Sequence, residues 1–406
     1  MTQEADTLRT PEAVRERASE LYALAEAGAL EGWTLHPERL PAAADYVAET
    51  VRSNYPELDV PFHARWRHFV IGGADRWAVL ARNAPFADAA ARARAAFDLA
   101  IASVLLDAGA GAAWRYRDAT GAMLSRSEGL AIASLEMFAA GRFSAQRDPL
   151  RADAARLAAL DAAEIATAMQ AGPGNPLLGL EGRAALLRRL GGAVAASPAI
   201  FARADTPRPG GLYDYLAAQA EGGALPARAI LVALLHHLGP IWPGRESLHG
   251  IPLGDCWRHP SIRRPDATDG LIPFHKLSQW LAYSLIEPLQ EAGIRVTGID
   301  ALTGLPEYRN GGLFLDLGVI APRDLAAIAR THDAANPFIV EWRALTVALL
   351  DRIAPLIRER LGVAAEDFPL AKVLEGGTWS AGRRIARERR ADGGPPLAIR
   401  SDGTVF

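Results

Sequence analysis

Asp255, Cys256 and His259 stand close together in the chain, with His249 just upstream and His236 and His237 further back. A carboxylate, a thiol and imidazoles in such proximity suit proton transfer, or a borderline-soft cation such as Zn²⁺. His249, Cys256 and His259 would then be three ligands beside a water. No second CxxC or HxxxH element accompanies them, and a packed loop with locally bonded histidines fits the same residues. A second group is Pro273-Phe274-His275-Lys276-Leu277-Ser278-Gln279-Trp280. If a helix starts here, its free N–H groups carry partial positive charge, and Lys276 and Gln279 share a face. That arrangement suits an anion or sugar hydroxyls. A third is the turn Thr303-Gly304-Leu305-Pro306-Glu307-Tyr308-Arg309-Asn310-Gly311-Gly312, which presents a carboxylate, a phenol and a guanidinium, with Asp316 following. A local Glu–Arg ion pair is the competing reading of that turn. Arg126-Ser127-Glu128-Gly129 and Glu341-Trp342-Arg343 with Trp379 are further mixtures of charge with glycine or aromatic residues.

Helices must position most of these groups. Helical spacing of apolar residues and Gly or Pro boundaries predict helices over 11–28, 42–54, 86–106, 127–140, 150–169, 180–196 and 213–238. Beyond Pro273, they predict helices over 274–291, 312–317, 322–330, 337–361 and 373–390. The best strand candidates are 114–117 and 122–125, joined by a turn at 118–121. The stretch from Gly239 to Pro273 contains repeated prolines and is expected to be a long, aromatic, functional loop. The expected fold is mainly α, with a helical DNA-glycosylase-like architecture and small β-hairpins at most. It is read as one helical catalytic unit over 1–392, two-lobed at most, followed by a tail over 393–406.

Composition narrows the function. The 406 residues carry 44 basic and 47 acidic side chains, half are hydrophobic, and 22% are charged. Such a chain is neither disordered nor equipped with the positive excess of a general nucleic-acid binder. One cysteine permits no internal disulfide, the N-terminus lacks a signal-peptide apolar core, and no apolar run spans a bilayer. The expected location is cytoplasmic, without membrane or nucleic-acid partners. Lys276 and Lys372 are the only lysines among the basic residues, which suggests a GC-rich bacterial genome. No GxSxG, GxxxxGK[ST] or Rossmann glycine signature is found.

The motifs resemble a known family. Arg126-Ser127-Glu128-Gly129-Leu130-Ala131, Asn175-Pro176-Leu177-Leu178-Gly179-Leu180-Glu181-Gly182-Arg183, Gly254-Asp255-Cys256-Trp257-Arg258-His259-Pro260, the His275–Trp280 block and Leu305–Gly312 are similar to the Urg/URC-type uracil-catabolism family of fungi and bacteria. Some members are labelled uracil phosphoribosyltransferase, yet no phosphoribosyl-pyrophosphate loop of acidic pairs follows a strand here. More distantly, the chain resembles the queuosine salvage nucleoside glycosylases. Their segments look like Asp107–Trp114, Lys276–Gln279, Thr303–Arg309, Glu341–Ala344 and Thr378–Ser380, in the same order. Ser284, Glu307 and Ser380 stand where that family has aspartates, and Ala110–Ala113 replaces a bulky aromatic run. The sugar side is better kept than the base side, which points away from a large deazapurine.

The resemblance implies a nucleotide-related hydrolase. The expected reaction is cleavage of the N-glycosidic bond of a ribosyl-urea-type intermediate, with its 5'-phosphate, releasing urea through an oxocarbenium-like transition state. Glu307 would stabilise the developing charge, with Asp255, Asp269 and Asp316 as rivals. Asp255 and His259 would supply the proton. Lys276, Gln279, Arg309, Glu341 and Arg343 would hold the sugar phosphate, and Trp257, Trp280, Tyr308 and Trp379 would wall the site. No cofactor is required, the partner is a small ribosyl or ribonucleotide substrate, and the protein is expected as a monomer or homodimer. The alternatives are a metal-dependent amidohydrolase using His249, Cys256 and His259, or a non-catalytic protein that binds a uracil-derived nucleotide.

Overall fold

The computed structural model describes residues 2–107, 109–204, 206–242 and 245–400. Ala108 of the glycosylase-like stretch, Pro243 and Gly244 of the long loop, and tail residues 401–406 lie outside that range. The protein is mainly α, and its strands form only two-stranded ribbons among the described residues. Two compact units result. No described helix is long and apolar enough to cross a membrane.

The first unit contains 2–63, 245–279 and 298–400. Its central helix, Pro337–Leu361, is buried on nearly every side from Ile339 to Leu350, an apolar stretch interrupted by the buried Glu341, Arg343 and Thr346. Asn336 caps its start by accepting the Phe338 N–H, Pro337 presets the first turn, and Gly362 ends it in the left-handed region at φ 72°. Helices Pro11–Glu26 and Leu40–Asn54 pack against it. Helix Tyr308–Asp316 packs against Ser380–Arg389, where a Cβ on Gly382 would run into the Arg309 backbone carbonyl. Glycine to alanine in an open helix gains about 1 kcal/mol. Here the overlap reverses the sign, and Gly382→Ala is expected to cost about 1–3 kcal/mol. A thermal midpoint equal to or above wild type would show that these helices separate freely.

The second unit contains 64–107, 109–204, 206–242 and 280–297 among the described residues. The Ala-rich helix Ala89–Leu105 is its buried axis, with Arg126–Ala139 beside it. Asp98, fully buried on that axis, accepts Ala152 N–H (2.9 Å), Gly210 N–H (2.6 Å) and Arg208 Nε–H (3.0 Å). The expected hairpin is present, with Tyr116–Arg117 paired antiparallel to Met123–Leu124. Asp118 fixes its turn by accepting from Thr120 N–H, Thr120 Oγ–H and Ala122 N–H.

Several elements differ from expectation for local reasons. The helix expected over 150–169 is two, Ala154–Ala159 and Ala162–Ala168, because Asp161 caps a new start. The helix expected over 213–238 divides into Gly211–Ala217 and Ala227–His237 around Gly222 and Gly223, both at positive φ. Over 322–330 only a 3₁₀ turn, Leu325–Ala327, forms. The described part of the long loop carries short strands, Ser247–Leu248 with Ile251–Pro252 and Cys256–Arg258 with Leu271–Pro273. Ala398–Arg400 of the expected tail pairs in parallel with Thr331–Asp333.

Candidate functional site

Within the first unit, strand Cys256–Arg258 lies against helix Pro337–Leu361, and two polar rungs join them. In one rung Arg343 donates from Nη1 to Asp255 Oδ1 at 2.8 Å and from Nη2 to Oδ2 at 2.7 Å. Asp255 also accepts Trp257 Nε1–H (2.6 Å) and the Lys276 backbone N–H (2.9 Å). The Arg343 guanidinium lies 4.2 Å from the Phe274 ring centroid. Burial would push the Asp255 carboxyl up, but the Arg343 charge and hydrogen bonds, the Arg245 charge and the Trp257 donor hold it well below the usual carboxylate range. Both Asp255 oxygens are thus occupied as hydrogen-bond acceptors within the protein.

The same contact answers the helix-start expectation. His275, at φ 51°, breaks the chain direction, so the helix begins at Lys276 and runs to Glu291. Its first N–H, the expected anion site, binds the protein's own Asp255 carboxylate. Gln279 accepts the Thr303 N–H at 3.3 Å.

The second rung joins His259 to Glu341. His259 Nδ1 accepts the Ser261 N–H (3.2 Å), which leaves the proton on Nε2, facing Glu341 Oε1 at 3.2 Å. Glu341 Oε2 accepts the Gly32 N–H at 2.9 Å. A Cβ on Gly32 would meet both this oxygen and the Phe338 ring, so glycine is required for the approach. His259 and Glu341 are buried, at 2% and 3% exposure, yet both line a cleft of about 650 Å³. That volume suits a small ligand.

Phe338 forms one side of the cleft, stacked on Trp33 with centroids 4.4 Å apart and neighbouring His332 at 5.0 Å. His332 also lines the cleft, and its Nε2–H donates to the Ala327 carbonyl at 2.8 Å. Arg330, paired with Asp324 at 2.7 Å, lies at the exposed margin. His332, Phe338 and Arg330 were not singled out in the sequence.

Glu307 is elsewhere. It caps helix Tyr308–Asp316, accepting Arg309 N–H (2.8 Å) and Asn310 N–H (2.6 Å), and does not line this cleft. Tyr308 donates to the Ile399 carbonyl, and burial with the Glu307 charge pushes its phenol up to about 12. Arg309 donates to the Gly393 carbonyl, while Asp316 makes a two-pronged pair with Arg390. Asp269 accepts the Arg264 N–H. Trp379 lies under Arg383 in a separate cleft of about 750 Å³, where Arg384 pairs with Glu49 and Glu388. That cleft is larger, but its lining contains no buried carboxylate. Trp280 belongs to the second unit.

The three alternative metal ligands do not converge. His249 bonds Glu4 at the surface, Cys256 packs among Ala5, Leu8, Leu248, Leu253 and Leu271, and His259 bonds Glu341. Burial, reinforced by the Asp255 charge, pushes the Cys256 thiol well up and keeps it protonated. Among the described residues, no group of three His, Cys, Asp or Glu side chains is placed to hold a metal ion.

Fold and site together define a mainly α protein with a buried histidine–carboxylate pair at the base of an open cleft. The chain belongs to the family described as "Protein of unknown function (DUF1688)", whose model matches residues 7–406. It is 38% identical over 402 residues to "Protein urg3" of Schizosaccharomyces pombe, covering 97% of this chain and 96% of that protein. It is 36% identical over 429 residues to "Uracil catabolism protein 4" of Lachancea kluyveri, covering 97% of each. These relatives bear out the resemblance to the Urg/URC-type family.

Proposed function

We propose that the protein acts in uracil breakdown by hydrolysing the N-glycosidic bond of a ribosyl-urea-type intermediate, with the 5'-phosphate, at the His259–Glu341 cleft. The relatives' names support the pathway, and the buried Glu341 carboxylate facing the cleft carries the chemistry. In the reaction the C1'–N bond breaks, water adds to C1', and a proton passes to the leaving nitrogen. Glu341, held in place by hydrogen bonds from Gly32 and His259, stabilises the positive charge that develops at C1' and orients the attacking water. His259 donates to Glu341 and is a positioning residue in the proton arrangement described above. The proton for urea comes from His332 Nδ1, because urea leaves poorly as an anion and His332 keeps its Nε2–H bond in either charge state. Phe338 supplies the apolar wall, and Arg330 is the cation nearest to hand for a phosphate.

The test is incubation of purified protein with ribosyl-urea 5'-phosphate, ribosyl-urea, uridine and UMP, with urea, base and reducing sugar assayed. Urea with an equivalent of reducing sugar is the expected result, from the ribosyl-ureas alone. Release of base from uridine or UMP would redefine the leaving group, and tight binding without turnover would make the protein a binder.

A further inference from the structure

The cleft around Trp379 is lined by arginines that the chemistry at His259 and Glu341 does not use. It lies between helices Leu40–Asn54 and Ser380–Arg389 and encloses about 750 Å³, room for a ligand of sugar-phosphate size. The second helix supplies Ser380, Arg383, Arg384 and Arg387, whose spacings of three, four and seven put them on one face. The first supplies Glu49 and the neutral Ser53 and Asn54. Just before the second helix, Val373–Trp379 forms a π-helix, a rare element that is frequent at functional sites. It ends with Trp379 in the cleft wall, while its Glu375 pairs with the buried His63 at 2.6 Å and does not line the cleft.

The charges in this cleft are unequally matched. Arg384 engages both acids of the lining, with Nε 3.0 Å from Glu388 Oε1 and Nη2 3.2 Å from Glu49 Oε1. The Tyr46 hydroxyl donates to the same Glu388 oxygen at 3.1 Å. Arg383 lies over the Trp379 ring, 4.8 Å from its centroid, and a guanidinium stacked in this way keeps its N–H edge for hydrogen bonding. Arg387 is exposed and makes no side-chain hydrogen bond or ion pair among the described residues. Arg383 and Arg387 are four apart on the helix, so their like charges repel, and an anion bound to both relieves that repulsion. A phosphate monoester fits this arrangement, because its dianion accepts from both guanidinium groups. Its alcohol portion then meets Ser53 and Asn54, side chains that both donate and accept. We propose that this cleft is a second ligand site, which binds the phosphate monoester of a small polyhydroxylated molecule with Arg383 and Arg387 on the phosphate. The proposal stands on these residues alone and does not depend on hydrolysis at the His259–Glu341 cleft.

The experiment is calorimetric titration of the full-length protein with ribose 5-phosphate, ribose and inorganic sulfate, at an ionic strength of about 0.15 M so that exposed charges are screened. Ribose 5-phosphate is expected to bind more tightly than sulfate, and ribose is expected not to bind. Arg387→Gln, at an exposed position where the fold tolerates change, is expected to weaken ribose 5-phosphate at least about fivefold. Arg383→Gln combined with Arg387→Gln, checked for folding by circular dichroism, is expected to remove that binding event. Arg389→Gln, exposed on the same helix but outside the cleft lining, is expected to leave it unchanged. Isotherms of the double variant identical to wild type, equal binding of sulfate or ribose, or no binding of ribose 5-phosphate would overturn the assignment. None of these readouts needs turnover, so their failure is distinguishable from failure of the proposed hydrolysis.

Discussion

Asp255→Ala is expected to destabilise the protein by about 3–5 kcal/mol, read as a large drop in the urea midpoint of unfolding. The cost comes from what remains. Arg343 is fully buried, and without Asp255 its guanidinium would have lost its paired anion in a region closed to water. The Trp257 indole and the Lys276 N–H would lose their acceptor in the same step. Replacing both charges, as in Asp255→Leu with Arg343→Met, is expected to recover much of the loss, because the pair's attraction is largely offset by desolvation. The pH dependence has a definite sign. The folded carboxyl lies below its ordinary value of 3.8, so its stabilisation is fully present above that value. It is lost as pH falls below about 4 and through the folded value. Asp255→Asn removes this component, so stability measured from pH 6 to pH 2 should fall less steeply than in wild type. Parallel curves would mean that Asp255 does not carry a depressed pKa.

How much of this was legible in the sequence depends on the kind of signal. Helix starts with a local cause could be read directly: Thr10-Pro11 and Asn336-Pro337 place a cap and a proline where a first turn needs them. Breaks that depend on a cap inside an apolar pattern could not. Asp161 reads as one more helical residue until its side chain is seen to accept the Glu164 N–H. His259, Asp255, Glu341 and Arg343 were all visible as candidates, but their pairing was not. Pairing depends on residues flanking a short strand and residues of a helix being neighbours in space despite their separation in sequence. Glu307 shows the reverse case. Beside Tyr308 and Arg309 it looks chemical, and glutamate is not a favoured cap residue, yet both its oxygens serve the first turn behind it. His332 was hidden because 322–330 was expected to be helix and Thr331–Asp333 looked like connection. The available signal was Asn336-Pro337, which places Phe338 and Glu341 three apart on one face of a new helix.

Glu341→Gln is the substitution expected to cost most in turnover, about 10²–10⁴-fold in kcat on ribosyl-urea 5'-phosphate. The change is nearly isosteric, so the loss reports charge and hydrogen bonding more than shape. Glutamine also cannot satisfy this position. Gly32 N–H and His259 Nε2–H both donate to the carboxylate, and an amide offers one acceptor face and one donor face. One donor must then face another. Moving the His259 proton to Nδ1 only transfers the conflict to Ser261 N–H. A stability loss of about 1–3 kcal/mol should therefore accompany the kinetic one, small enough to leave a folded protein to assay. Glu307→Gln is the control. It weakens a helix cap worth about 1 kcal/mol and should leave kcat near wild type. His332→Gln separates the two roles at the cleft. It should slow release of urea, while a better leaving group on the same sugar recovers much of the rate. Glu341→Gln should show no such recovery, because stabilising charge at C1' is required whatever group departs. Loss of turnover in Glu307→Gln with retention in Glu341→Gln would move the catalytic carboxylate to the turn at 303–312 and leave the His259–Glu341 pair as a structural rung.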